Sequence, residues 1–143
     1  MKEEQQLNRY YVGVDWADKD HRVYVGDENA TKIVEMKVQE TVQGLAEFGR
    51  WLDERRAEGT EIWAAIEKPQ GRIIDFLLDH GIVVYPVNPK ALDRNRDRFR
   101  MSQSKSDAFD AYVLSEFLRT DHGRLRALEP SSEQAQEIGR AHV

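Results

Sequence analysis

Four acids in the 143-residue chain occur in settings that suit metal-assisted phosphate chemistry: Asp15, Glu67, Asp107 and Asp110. Asp15 is the single charge in the run Tyr10-Tyr11-Val12-Gly13-Val14-Asp15-Trp16-Ala17. That run reads as a buried strand, where an unpaired carboxylate is heavily penalised by desolvation. Glu67 ends a second apolar run, Glu61-Ile62-Trp63-Ala64-Ala65-Ile66, and precedes Pro69, which cannot continue a ladder. Asp107 and Asp110 are three apart, so on a helix they share one face, in phase with Ala111, Leu114 and Leu118. Two like charges about 4 Å apart repel by roughly 4 kcal/mol at an effective dielectric of 20, so convergence of these acids calls for cations. All-oxygen carboxylate sites suit Mg²⁺ or Mn²⁺, and a pair of such ions stabilises both the attacking and the leaving oxygen of a phosphodiester displacement.

Each acid also has a purely structural account. Asp15 could end its strand as a turn residue or pair with Lys19. Ser104 with Asp107 fits a capping box, and acids are favoured in a helix's first turn by its dipole. That account covers one acid of the helical pair better than both.

The net charge of −5 argues against binding nucleic acid by bulk charge, but the charge is unevenly placed. Between positions 90 and 105, Lys90, Arg94, Arg96, Arg98, Arg100 and Lys105 outnumber Asp93 and Asp97, leaving this window at +4 and the remainder at −9. Arginines alternating around Phe99 suit a loop that tracks phosphates or stacks on unpaired bases, the alternative being a solvated loop. The four histidines lack metal-ligand spacing, the three tryptophans read as core or core rim, and neither common nucleotide-binding glycine motif is present. Without cysteine there is no disulfide framework and no thiolate metal site.

The elements that must position these acids follow from periodicity. Residues 1–9 are polar and aperiodic, a flexible end. Strands are expected at 10–17, 21–25 and 31–38, joined by short turns as an antiparallel meander. Thr41 reads as the N-cap of a helix carrying Leu45, Phe48, Trp51 and Leu52. A strand at 61–67, a short helix at 71–80 closed by Gly81, and a nearly continuous apolar strand at 82–87 make a parallel portion of sheet. The basic loop comes next, then a helix from about 106 to 119 and a polar tail. In such sheets sites form beyond the carboxyl ends of parallel strands, where Asp15 and Glu67 lie.

This order of elements, with acids on the first strand, the fourth strand and the last helix, resembles the ribonuclease H-like fold in its RuvC-type form. The expected fold class is therefore α/β, with a mixed five-stranded sheet and flanking helices. The strings Gly13-Val14-Asp15-Trp16-Ala17, Glu67 before a glycine-containing turn, Val87-Asn88-Pro89 and Lys105-Ser106-Asp107-Ala108-Phe109-Asp110-Ala111 resemble DEDD-type transposases of the IS110 insertion-sequence family, relatives of the Piv invertase. Lys68-Pro69 departs from the Thr-Gly-like turns frequent in relatives.

The resemblance covers about residues 10–120 and implies a DNA recombinase domain in which Asp15, Glu67, Asp107 and Asp110 are catalytic ligands for Mg²⁺ or Mn²⁺. It further implies DNA and a structured guide RNA as partners, a homo-oligomeric full-length protein, a cytoplasmic location without membrane, and a second domain with a nucleophilic serine. None of Ser102, Ser104, Ser106 and Ser115 sits in a nucleophile motif. Residues 121–143 are expected to be a truncated tail. Ile138-Gly139-Arg140-Ala141-His142-Val143 reads as one frame of a common sequencing adapter, so 138–143 are expected to be an assembly artefact. The rival expectations are a stand-alone RuvC-type junction resolvase and a non-catalytic nucleic-acid-binding scaffold.

Overall fold

A computed structural model describes residues 8–67, 71–100 and 108–130. Its centre is a five-stranded sheet of β1 (Asn8–Asp15), β2 (Asp20–Asp27), β3 (Lys32–Gln39), β4 (Thr60–Ile66) and β5 (Val83–Pro86), paired in the order β3-β2-β1-β4-β5. The first three strands form the antiparallel meander, and β4 and β5 continue it in parallel with β1. Helices α1 (Val42–Ala57) and α2 (Arg72–Asp79) cover one face; α3 (Pro89–Phe99) and α4 (Phe109–Asp121) lie on the other. The expected fold class holds. Among the described residues no helix is long and apolar enough to cross a membrane.

Alternation along β1 sorts its side chains. Val12 and Val14 enter an apolar core with Leu52, Ile73 and Leu77 from α1 and α2. Tyr11, Gly13 and Asp15 point to the α4 side, because strand side chains alternate with period two. In β4, Ile62, Ala64 and Ile66 join the first core, and Ala65 joins the second. Thr41 caps α1 as expected, its Oγ1 accepting from the Gly44 N–H at 2.9 Å. Gly81 ends the α2 segment with φ +77°, a conformation glycine adopts without steric cost.

Helix α4 is buried nearly all round, from Ala111 to Leu118, and lies directly over β1. A Cβ at Gly13 would stand 1.8 Å from the Ala111 carbonyl oxygen and 2.7 Å from the Ser115 nitrogen. The Ser115 hydroxyl donates to the Tyr11 carbonyl at 2.7 Å, fixing the depth and register of this approach. Glycine in the first strand thus serves close helix-to-strand packing.

Three expectations need correction. The described part of the basic segment is helix α3 from Pro89 to Phe99 rather than a loop. Asn88 Oδ1 accepts from the N–H groups of Lys90 and Ala91, Pro89 occupies the first turn, and Leu92, Asn95 and Phe99 recur at helical spacing toward the protein. Strand β1 begins at Asn8, where Arg9 is held by Glu61 at 2.7 Å and stacks over Trp63, so the flexible end does not extend to residue 9. Residues 121–130 are not a free tail. A 3₁₀ turn at His122–Arg124 follows α4, and the Leu128 N–H donates to the Val84 carbonyl of edge strand β5 at 2.7 Å. Of the three tryptophans expected in the core or at its rim, Trp16 is the outermost, 36% exposed just beyond the end of β1.

Gly13→Ala is expected to destabilise the chain by about 2 kcal/mol or more, because the added methyl meets main chain on a buried helix and cannot be accommodated by side-chain rotation. Gly123→Ala, with nothing within 4 Å of its new Cβ, is expected to stay within about 0.5 kcal/mol of the original. Urea denaturation followed by circular dichroism compares the two; equal midpoints would refute the close-packing role of Gly13.

Candidate functional site

Strand pairing brings two of the acids to adjacent strand ends. Val14 of β1 is level with Ile66 of β4, so Asp15 and Glu67 are the next residues on neighbouring parallel strands. Neighbouring strands run about 4.8 Å apart. Asp110 enters from above in the first turn of α4, one residue before the Ala111 that rests on Gly13. The half-buried Asp15 carboxyl is raised above its ordinary value by burial first, then by the charges of Asp110 and Glu67, with Arg96 and Arg22 pulling the other way. Three of the four predicted acids therefore share one electrostatic environment at the carboxyl ends of β1 and β4. Asp107 lies outside the described residues.

Cations already balance part of that charge. Arg96 of α3 makes a forked pair with Asp110, Nε to Oδ1 at 2.9 Å and Nη2 to Oδ2 at 3.1 Å. Its Nη1 reaches Asp93 at 3.2 Å. Hydrogen bonding to Asp110 raises the Arg96 pKa further above its ordinary value. Arg22 is level with Asp15 across the β1–β2 ladder, a counter-charge for which the sequence had offered Lys19 as one alternative. Arg22 was legible only through the hairpin register, which puts it opposite the acid. Among the described residues no three His, Asp or Glu side chains stand grouped as an ion would need them, and both Asp110 oxygens face Arg96.

The turn after Asp15 is pinned from below. The Ala17 N–H donates to His21 Nδ1 at 3.2 Å, which leaves the imidazole proton on Nε2, donated to Glu40 Oε1 at 2.6 Å. His21 is fully buried, and Glu40 also meets Arg72 at the start of α2 at 3.5 Å. Sequence reading left His21 without a role; its place opposite Val38 on the inner strand of the meander is what makes it structural.

The predicted nucleic-acid contacts separate into two groups. Arg96 and Arg98 turn toward α4, Arg98 meeting Asp121 at 2.8 Å and Thr120 at 3.1 Å. Lys90, Arg94 and Arg100 are exposed, with Arg100 bonded to Asp97 on its own helix. Lys90 and Arg94 are four apart and lie on one solvent face of α3. Lys105 lies outside the described residues.

A sheet in this order, closed by a helix that carries the acid Asp110 over the first strand, is a ribonuclease H-like domain of the RuvC type. The chain is similar in fold to T. thermophilus RuvC, solved in complex with a Holliday junction substrate, with a TM-score of 0.57 at 12% identity over 86% of this chain and 100% of that one. At this identity the likeness bears on the fold alone.

The chain belongs to the DEDD transposase family of IS110 elements, whose family model, described as a transposase, matches residues 12–141. The match extends into the segment expected to be adapter-derived. A protein named as transposase y4uE of Sinorhizobium fredii (strain NBRC 101917 / NGR234) is 42% identical over 85% of this chain. One named as the mini-circle transposase for IS117 of Streptomyces coelicolor (strain ATCC BAA-471 / A3(2) / M145) is 36% identical over 90% of it. The chain spans only 34% and 31% of these two relatives, about a third of their length.

The two central aspartates are expected to respond oppositely to neutralisation. In buffer with a chelator at neutral pH, Asp15→Asn is expected to raise the melting temperature, because the folded chain holds this carboxyl above its ordinary 3.8 and its ionised form costs stability. The cost is present above the folded value and disappears as pH falls past 3.8, so the gain should shrink over that window. Asp110→Asn is expected to lower the melting temperature, because the Arg96 fork loses one of its two acceptor oxygens and its counter-charge. Thermal melts at several pH values test both, and equal shifts of the same sign would refute the asymmetry.

Proposed function

We propose that this chain is the RuvC-like catalytic part of a DNA transposase and acts on DNA phosphodiesters at Asp15, Glu67 and Asp110, with Asp107 as the fourth acid. The reading rests on one observation above all, that the register of β1 and β4 sets Asp15 and Glu67 side by side at the carboxyl ends of parallel strands, with Asp110 in the first turn of the helix above them. Membership of a transposase family supports it. The donors suit Mg²⁺ or Mn²⁺, being hard carboxylate oxygens that repel one another, with no sulfur or imidazole among them. Bound there, such an ion would supply charge stabilisation for the attacking and leaving oxygens of a phosphodiester.

The chain's own residues supply position and charge balance. Gly13 and Ala111 set the height of Asp110 above Asp15, and the His21–Glu40 pair fixes the turn that presents Asp15. Arg22 and Arg96 limit the repulsion among the acids. Lys90 and Arg94, exposed on α3, are the proposed contacts to the DNA backbone, with Arg100 and Lys105 as further candidates. The whole transposase, guided by a structured RNA and assembled as a homo-oligomer, would add the serine domain that the family resemblance implies. Junction resolution is the second reading, and it rests on the RuvC-type fold alone. Incubation with a four-way junction separates them, since a resolvase would cleave it and the isolated transposase part would bind without cutting.

Saturating Mn²⁺ is expected to raise the melting temperature by mass action, by about 2.7 kcal/mol of stability at a hundredfold excess over Kd. The gain should disappear in Asp15→Asn; an undiminished gain there would remove Asp15 from the metal site. Replacing Lys90 and Arg94 together by Ala is expected to reduce the slope of log affinity against log salt by up to about 2 for duplex DNA. Fluorescence anisotropy across a salt series measures this, and an unchanged slope would return the face to plain solvation.

A further inference from the structure

We propose that Arg96 and a divalent cation compete for the same carboxylate oxygens of Asp110, so that Arg96 is the site's exchangeable internal counter-cation. The inference rests on the metal-binding reading of the acids given above. Its own basis is the fork: Nε and Nη2 of one guanidinium take both oxygens of one carboxylate, at 2.9 and 3.1 Å. That bidentate arrangement uses the in-plane directions of the carboxylate, and a metal ion drawn to Asp110 would compete for them.

Arg96 is also built to let go. Its third nitrogen holds Asp93, which is largely exposed and lies three residues earlier on the same helix, so the side chain keeps an acidic partner after leaving Asp110. Helix α3 does not depend on this fork for its place. Arg98 ties it to Asp121 and Thr120 at the far end of α4, and Phe99 packs edge-on against Tyr112 with ring centres 6.2 Å apart. Rotation of one side chain that is one-third exposed is therefore sufficient. The guanidinium that departs stays beside the acids, where it can take a phosphate oxygen of the nucleic acid. Metal entry and phosphate binding are thereby coupled through a single residue, and the coupling is reciprocal.

The test titrates Mn²⁺ into the 143-residue chain without nucleic acid, reading free Mn²⁺ by electron paramagnetic resonance, for the original chain, Arg96→Ala, Arg96→Lys and Asp15→Asn. Removal of the competitor is expected to tighten Mn²⁺ binding by roughly five-fold or more in Arg96→Ala. Arg96→Lys, which keeps the charge without the fork, is expected to fall between, and it supplies the reading should Arg96→Ala fail to fold by circular dichroism. In a second arm, Mn²⁺ is expected to strengthen duplex DNA binding more in the original chain than in Arg96→Ala. Equal or weaker Mn²⁺ affinity in the folded Arg96 variants, while the original chain binds Mn²⁺ and Asp15→Asn does not, would overturn the competition and leave the metal site standing. Absence of Mn²⁺ binding from every chain would overturn the metal reading and this inference together.

Discussion

The approach of α4 to β1 at Gly13 is the constraint on which the rest of the arrangement depends. Any side chain there would collide with the Ala111 carbonyl, so the helix can reach this depth over glycine alone. Once it does, sequence adjacency does the rest. Asp110 precedes Ala111 on the helix and Asp15 follows Gly13 by two on the strand, on the same face. The Ser115 bond to the Tyr11 carbonyl adds a fixed register, since a one-turn slip of α4 would leave a buried hydroxyl and carbonyl unpaired. Precision at the acids is therefore set by a main-chain contact rather than by the acids themselves, which repel one another.

That repulsion explains why the neighbouring arginines are placed as they are. Asp15 receives like charge from two sides, and its raised carboxyl reports the cost. Arg96 moderates it directly as well as by neutralising Asp110, and Arg22 does so from the adjacent strand. The fork on Asp110 concentrates cationic charge on the acid carried by the helix, not on those carried by the strands. A helix-borne arginine on α3 thus ties the position of a basic surface to the charge state of the site.

The strands were legible because period-two alternation and turn residues dominate residues 10–40, and an α/β order followed from the switch to helical spacing at Thr41. Helix α3 was obscured by composition. Alternating arginines and aspartates lowered its apolar signal to Leu92 and Phe99, although Asn88 followed by Pro89 is a strong helix start once read as a cap. Asp15, Glu67 and Asp110 could be nominated from local pattern because each is an acid at the end or in phase with an apolar run. Their counter-charges could not. Arg22 meets Asp15 through hairpin register, and Arg96 meets Asp110 across two helices whose packing no local pattern encodes. Leu128 escaped notice for a related reason: with Leu125 and Ala127 it belongs to a short apolar group without regular period, yet its N–H donates to the edge strand β5.

The two faces of the sheet divide the physical tasks. The α1 and α2 face is built from Val, Ile, Leu and Phe, with side chains such as Leu52, Ile73 and Leu77 almost wholly removed from water, each contributing about 2 kcal/mol by burial. The α4 face mixes apolar packing with polar commitments: Ser115 on Tyr11, Glu116 clamped by Arg119, and Arg96 on Asp110. Interactions of that second kind contribute little net stability but constrain geometry. A repelling group of carboxylates can persist on one face because the opposite face, sharing the same strands, supplies apolar burial that does not involve the acids. Substitutions of the apolar α1 and α2 core should therefore act on the site through global stability, the buried His21–Glu40 pair on that face being the exception, whereas those on the α4 face alter its geometry directly.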